Sequence, residues 1–141
     1  MDIEFHYYIT GILARRAGFS EEQAAIIAHC SQLVDDNDTR QQVYDSQTGA
    51  AYEMYISQTM NILNPKCELM RIYSIFHFLP GRPDAPSARR PDGKMHILTT
   101  TPDSDLARNI FEAARREQAP FRLHRLGVAA HCFADSWAHQ N

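Results

Sequence analysis

Seven histidines against three cysteines, in a chain of 141 residues, set the chemistry this sequence can do. The densest group is His131-Cys132-Phe133-Ala134-Asp135-Ser136-Trp137-Ala138-His139. His131, Asp135 and His139 are spaced four apart, so on a helix they form one stripe with about 6 Å of axial rise between neighbours. Side chains at i and i+4 converge, which makes a metal ion between His131 and Asp135 geometrically easy. His139, two turns from His131, would serve a second ion or a substrate group. The preceding Leu126-Gly127-Val128-Ala129-Ala130 is small and apolar, so the stripe is expected to be buried. An unpartnered His or Asp is costly there. A hydrogen-bonded His–Asp pair in the core fits the same spacing.

Three further places put such residues on apolar surfaces. His6 follows Phe5 at the start of a helical pattern, and His77 sits within Ile75-Phe76-His77-Phe78-Leu79-Pro80. Asp35 and Asp36 end a helix, where unpaired carbonyls already disfavour negative charge and a cation is wanted. Four such places point to a shared polar centre. Cys30, Cys67 and Cys132 form no CxxC pair and read as small buried hydrophobes. Imidazole and carboxylate are therefore the available donors, the set that zinc, iron or manganese sites use without thiolates. His29, His96 and His124 fall outside this pattern. His124, seven residues before His131 and on the same helix face, is the best placed of them for a supporting role.

The elements that must hold these residues are mostly helices. Ile9, Ile12, Leu13 and Ala17 recur at helical spacing over 3–17, and Gly18 stops the pattern. Ser20 with Gln23 forms a capping box that opens a second helix ending at Asp35-Asp36-Asn37-Asp38. Residues 51–63 and 68–78 are rich in Tyr, Ile, Met and Phe and are divided at Asn64-Pro65; their periodicity fits short helices or an irregular hairpin, of which the hairpin is preferred. Residues 80–93 hold four prolines and three arginines and are expected to be an exposed loop. Thr101-Pro102-Asp103 starts a third helix over 105–118, with Leu106, Ile110, Ala113 and Ala114 inward. Pro120 opens a fourth over 121–139. The fold expected is mainly α, a helical bundle with a hairpin-containing middle, forming a single domain over 1–141. The helical pattern reaches Gln140-Asn141 without a stop signal, so the domain is expected to be truncated at its C-terminal end.

Composition narrows the partners. Residues 1–70 hold four Lys/Arg and ten Asp/Glu, whereas residues 71–141 hold ten and seven. No basic stripe with interleaved aromatics occurs, so no nucleic acid is indicated. No apolar run reaches the ~18–20 residues of a membrane span. Residues 1–10 are acidic where a signal peptide would be basic, so a cytoplasmic location is expected.

The order of these landmarks resembles the zinc-dependent phospholipase C and fungal single-strand nuclease superfamily, all-helical enzymes with a zinc cluster. Phe-His-Tyr-Tyr, Val-Asp-Asp, His-Phe-Leu-Pro-Gly and Leu-Gly-Val-Ala-Ala-His…Ala-Asp-Ser-Trp-Ala-His also look like an uncharacterised domain-of-unknown-function family associated with it. The resemblance implies that Asp35, His77, His131 and Asp135 surround one zinc. It also implies that Asp135 bridges to a second zinc shared with His6, and that His139 begins a third site, incomplete in this chain. The spacing from Asp135 to His139 is shorter than the relatives' Asp-x5-His, and their remaining third-site ligands lie further downstream. The activity implied is zinc-dependent hydrolysis of phosphoester bonds in a small-molecule or lipid substrate. Asp35 or Asp36, whichever is not a ligand, would orient or deprotonate the attacking water. Arginines of residues 80–93 would hold phosphate. The alternative is a non-catalytic helical domain with a structural or vestigial metal site. A phosphohydrolase of the adjacent His-Asp type is disfavoured, because no His-Asp dipeptide occurs.

Overall fold

A helix whose first half is wider than an α-helix opens the chain. In the computed structural model, which describes residues 2–59, 71–82, 92 and 100–139, Glu4–Ile9 is π-helical and runs directly into α1 (Thr10–Arg16). The Thr10 N–H donates to the carbonyl of Phe5, five residues back. Gly18, with a positive φ of 95°, then reverses the chain. Helix α2 (Glu21–Asp36) starts as its sequence predicts. The Ser20 hydroxyl accepts from the Gln23 N–H, and the Gln23 side chain accepts from the Ser20 N–H. That pair satisfies two backbone donors otherwise orphaned at a helix start or just before it.

The apolar residues that predict the first helix do not face inward. Ile9, Ile12 and Leu13 are exposed, whereas His6, Thr10 and Ala14, four apart, are buried. The small residues allow a close approach to α2: a methyl group built on Gly11 would lie 3.4 Å from Ala28.

The hairpin is displaced from its expected position. It pairs β1 (Gln42–Tyr44) with β2 (Ala51–Glu53), antiparallel, with Val43 opposite Tyr52. Its turn explains why. Asp45 Oδ1 accepts from the N–H groups of Gln47 and Thr48, and Gly49 takes a positive φ of 70°. Tyr73–His77, where the sequence fits a short helix or a hairpin strand and the hairpin is preferred, is a second π-helical segment, closed by a 2.6 Å bond from the Phe78 N–H to the Tyr73 carbonyl. Residues 60–70, including Cys67 and the expected hairpin's division, lie outside the described residues, as do most of 80–93 with Arg89 and Arg90.

Helix α3 (Asp105–Arg115) is capped by Ser104, whose hydroxyl accepts from the Ala107 N–H. Asp103, at a φ of 54°, turns the chain just before that cap. The buried face is Ala107 and Ala114, with Ile110 packed beside it. Leu106 and Ala113, expected inward, are exposed. Helix α4 (Arg122–Ala138) completes the architecture, which is mainly α.

Helix α2 lies between α1 and α4, and α3 packs on α4. Two small apolar cores result. One joins Ala14, Ala24 and Ile27 with Phe19, Leu123 and Leu126; the other joins Leu79, Ala107 and Cys132 with Phe76, Ile110, Val128 and Phe133. Gly127 sets the α2–α4 distance, since a Cβ there would collide with the Ile27 carbonyl and lie 2.7 Å from Cys30 Cβ. Among the described residues, no helix is long and apolar enough to cross a membrane.

Candidate metal centre

Four separate segments deliver ligand-type side chains to one buried point. The first π-helical segment supplies His6, the end of α2 supplies Asp35, the second π-helical segment supplies His77, and α4 supplies His131 and Asp135. His6, His131 and Asp135 are fully buried, and His77 is 4% exposed. The Asp35 side chain, at 18%, is the member that solvent reaches.

Asp135 is the hub. Its Oδ2 lies 3.1 Å from His77 Nδ1 and 3.2 Å from His131 Nε2, and its Oδ1 lies 3.2 Å from His6 Nε2. Asp35 faces the same nitrogens from the other side. Its Oδ1 is 3.7 Å from His77 Nδ1 and 3.8 Å from His131 Nε2, and its Oδ2 is 3.8 Å from His6 Nε2. Each carboxylate thus turns one oxygen toward the His77–His131 pair and the other toward His6. The His6 and His131 rings stack at 3.9 Å.

Backbone carbonyls fix two of the imidazole tautomers. A carbonyl only accepts, so His131 Nδ1, 2.9 Å from the Ser31 carbonyl, carries the proton there. His77 Nε2 likewise donates to the Ser57 carbonyl at 2.8 Å. In the neutral rings the opposite nitrogens, His131 Nε2 and His77 Nδ1, then present lone pairs. They lie 3.2 Å apart, and both face carboxylate oxygens. Burial pushes the His131 imidazole down, against the opposing pull of Asp135, and so favours its neutral form. Burial pushes the Asp135 carboxyl up, but where the facing nitrogens of His131, His139, His6 and His77 carry protons their hydrogen bonds outweigh it and hold the carboxyl far below the usual range. Neither ring nitrogen of His6 has a hydrogen-bond partner among the described residues. Acceptors facing acceptors, with the His6 imidazole held by its close approach to the two carboxylates, fit a cation at their centre. The arrangement of a ligand nitrogen whose partner nitrogen donates to a carbonyl is the usual support of metal-bound histidine.

The remaining sequence expectations divide. His139, at the end of α4, brings Nε2 to 3.5 Å from Asp135 Oδ2 and stays 31% exposed at the rim. Thr100 holds that helix end, its hydroxyl donating to the carbonyls of Ser136 and His139. Asp36 is exposed and accepts from the Gln32 side chain, outside the close contacts of the cluster. His29 and His124 are exposed, and His96 lies outside the described residues. Cys132, buried, donates to the Ile75 carbonyl at 3.7 Å, and burial pushes its thiol up to about 12. It is a core residue and not a thiolate ligand. Ser31, Ser57 and Thr100 are the contributors that the sequence does not reveal, because the first two act through carbonyls that every residue possesses.

Fold and site together define a mainly α-helical protein built around a buried histidine–aspartate cluster. The sequence profile of a family of unknown function, DUF6765, matches residues 1–141, and the chain belongs to that family. No curated protein and no solved structure matches the chain.

Proposed function

We propose that this protein binds two divalent cations, zinc by preference, at the His/Asp cluster and hydrolyses phosphoester bonds with them. The observation that carries metal binding is the pair of carbonyl-fixed tautomers, which aim lone pairs of His77 and His131 at carboxylate oxygens. His77 Nδ1, His131 Nε2, Asp135 Oδ2 and Asp35 Oδ1 would hold one ion. His6 Nε2, Asp135 Oδ1 and Asp35 Oδ2 would hold the other, with a position left for water or substrate. Bound zinc supplies Lewis acidity, lowering the pKa of a water toward about 7 and neutralising phosphoryl oxygens. Both Asp35 oxygens would be spent on the ions and Asp36 is exposed outside the cluster, so neither carboxylate would be left to act as base on the attacking water. His139, at the rim, would meet the substrate or a third ion.

The likeness of the landmark order to the phospholipase C and nuclease superfamily supports the phosphoester reading. An apolar cavity of about 610 Å³ supports a substrate with an apolar substituent. None of the cluster residues lines it; Phe5 and Ala134 of its wall are the chain neighbours of His6 and Asp135. Thr10, a polar residue of its lining, donates its hydroxyl to the Phe5 carbonyl.

Elemental analysis of the purified chain, paired with hydrolysis of bis(p-nitrophenyl) phosphate and a short-chain glycerophospholipid, tests this. Two zinc equivalents are expected, with turnover lost on chelation and absent in the His131→Ala/Asp135→Ala double variant. A folded protein that stays metal-free at micromolar zinc would sink the proposal. The complete burial of His6, His131 and Asp135 favours a second reading, a closed structural metal site. Its signature is bound zinc and raised stability with no turnover of either substrate.

A further inference from the structure

We propose that Asn37 and Ser57 are positioning residues that set the His77 imidazole toward the metal centre; the inference rests on the metal-binding reading above. Residues 54–59 follow β2 without regular structure, yet the Ser57 carbonyl must stand 2.8 Å from His77 Nε2 to fix that ring. A set of hydrogen bonds to the end of α2 holds it there. Asn37, the residue that ends α2, donates through Nδ2 to the Tyr55 carbonyl at 2.8 Å and to Ser57 Oγ at 3.2 Å. Its own carbonyl accepts from the N–H groups of Ser57 and Gln58, at 3.0 and 3.1 Å. Ser57 Oγ donates to the Val34 carbonyl at 3.0 Å, satisfying an acceptor that the end of α2 leaves open.

The geometry couples two ligands. Asp35 belongs to the last turn of α2, and Gln58 Nε2 donates to its Oδ1 at 3.3 Å. The bonds that seat Ser57 against His77 therefore also seat Gln58 against Asp35. One helix end thus orients an imidazole and a carboxylate, and Asn37 is the joint between them. Partners at this remove from a ligand typically change metal affinity by about 10–100-fold when lost.

The test is the isosteric variant Asn37→Asp. It keeps the shape of residue 37, replaces the Nδ2 donor with an acceptor, and adds negative charge near the site. Coulomb attraction alone would then strengthen zinc binding, so a loss reports geometry. Zinc titration against a competing chelator is expected to show affinity about 10–100-fold below wild type. In the metal-free protein, long-range ¹H–¹⁵N spectra are expected to find His77 protonated at Nε2 in wild type and as a tautomer mixture in the variant. Ser57→Ala is expected to weaken binding in the same direction, and Ser57→Thr, which keeps the hydroxyl, to restore it. This pair decides the matter if Asn37→Asp fails to fold. Unchanged or stronger zinc binding in Asn37→Asp, with the His77 tautomer intact, overturns the proposal. If wild type binds no zinc, the metal reading fails, while the tautomer spectra still decide whether Asn37 and Ser57 orient His77.

Discussion

Asp135 offers both carboxylate oxygens to imidazole nitrogens, one to His6 and the other to His77 and His131. Asp135→Asn keeps its shape but turns one oxygen into an NH₂ group that points protons at the cation position. We expect zinc affinity to fall by more than about 100-fold, beyond the loss of an outer partner, with helical circular dichroism unchanged. Isothermal titration measures the first and spectroscopy the second; wild-type affinity in this variant would remove Asp135 from the centre. Cys132 makes the opposite case. Its thiol is 4% exposed and pushed up to about 12, so it stays neutral in the folded chain where an unfolded thiol would ionise near pH 8.5. Its contribution to stability is present below pH ~8.5 and lost as pH rises toward 12. Iodoacetamide at pH 9 is expected to spare Cys132 in the native protein and modify it in urea, as read by peptide mass mapping. At this scale much of the centre was legible, since His6, His77 and His131 stand out as imidazoles in apolar surroundings. The choice of Asp35 over Asp36 was not. It turns on about 100° of rotation along α2. His124 shares a heptad position with His131, but the first turns of α4 are exposed there.

Between residue and fold, the two π-helical segments are informative, because each carries one histidine of the cluster, His6 or His77. Such wide turns are rare and concentrate at functional sites. They do not account for the outward face of the first helix, because Ile12 and Leu13 lie in α1 beyond the π-helical residues, and the face that is buried is His6, Thr10 and Ala14. The capping box of α2 needs only local chemistry and was legible, whereas the placing of β1 against β2 depended on an Asp45 turn that apolar patterning does not register. Helix α4 adds a test of how closely the elements must approach. Gly127 lies one turn before His131 and directly against Ile27 and Cys30 of α2, the helix whose Ser31 carbonyl orients His131. Gly127→Ala would force α2 and α4 apart. The expected cost is about 1–3 kcal/mol of stability, as for other overpacked cores, read by urea denaturation. The lengthened Ser31–His131 bond should weaken zinc binding as well. A variant as stable as wild type, with the same affinity, would show that the contact is relieved elsewhere.

Across the whole molecule, the helical class was legible from composition and caps, and the His and Asp residues set on apolar surfaces pointed to one shared centre, but the geometry by which residues 6, 35, 77, 131 and 135 converge was not legible. Convergence depends on packing angles set by small residues such as Gly11 and Gly127, which carry no pattern of their own. The same convergence links metal binding to folding. In an unfolded chain these side chains lie on segments separated by dozens of residues, so the cluster exists only in the native state, and a ligand that binds only there stabilises it. At a free zinc concentration a thousandfold above Kd the gain is roughly 4 kcal/mol for one site. At about 2–4 °C per kcal/mol for a chain of this size, the expected rise in Tm is of order 10 °C. Calorimetry of the chelator-treated protein, with and without added zinc, measures it. Asp135→Asn should show no such rise, and Gly127→Ala a smaller one, because the first removes a ligand and the second displaces one. Equal rises in wild type and Asp135→Asn would mean that zinc acts elsewhere on the surface, and the buried cluster would then be a hydrogen-bonded core rather than a metal centre.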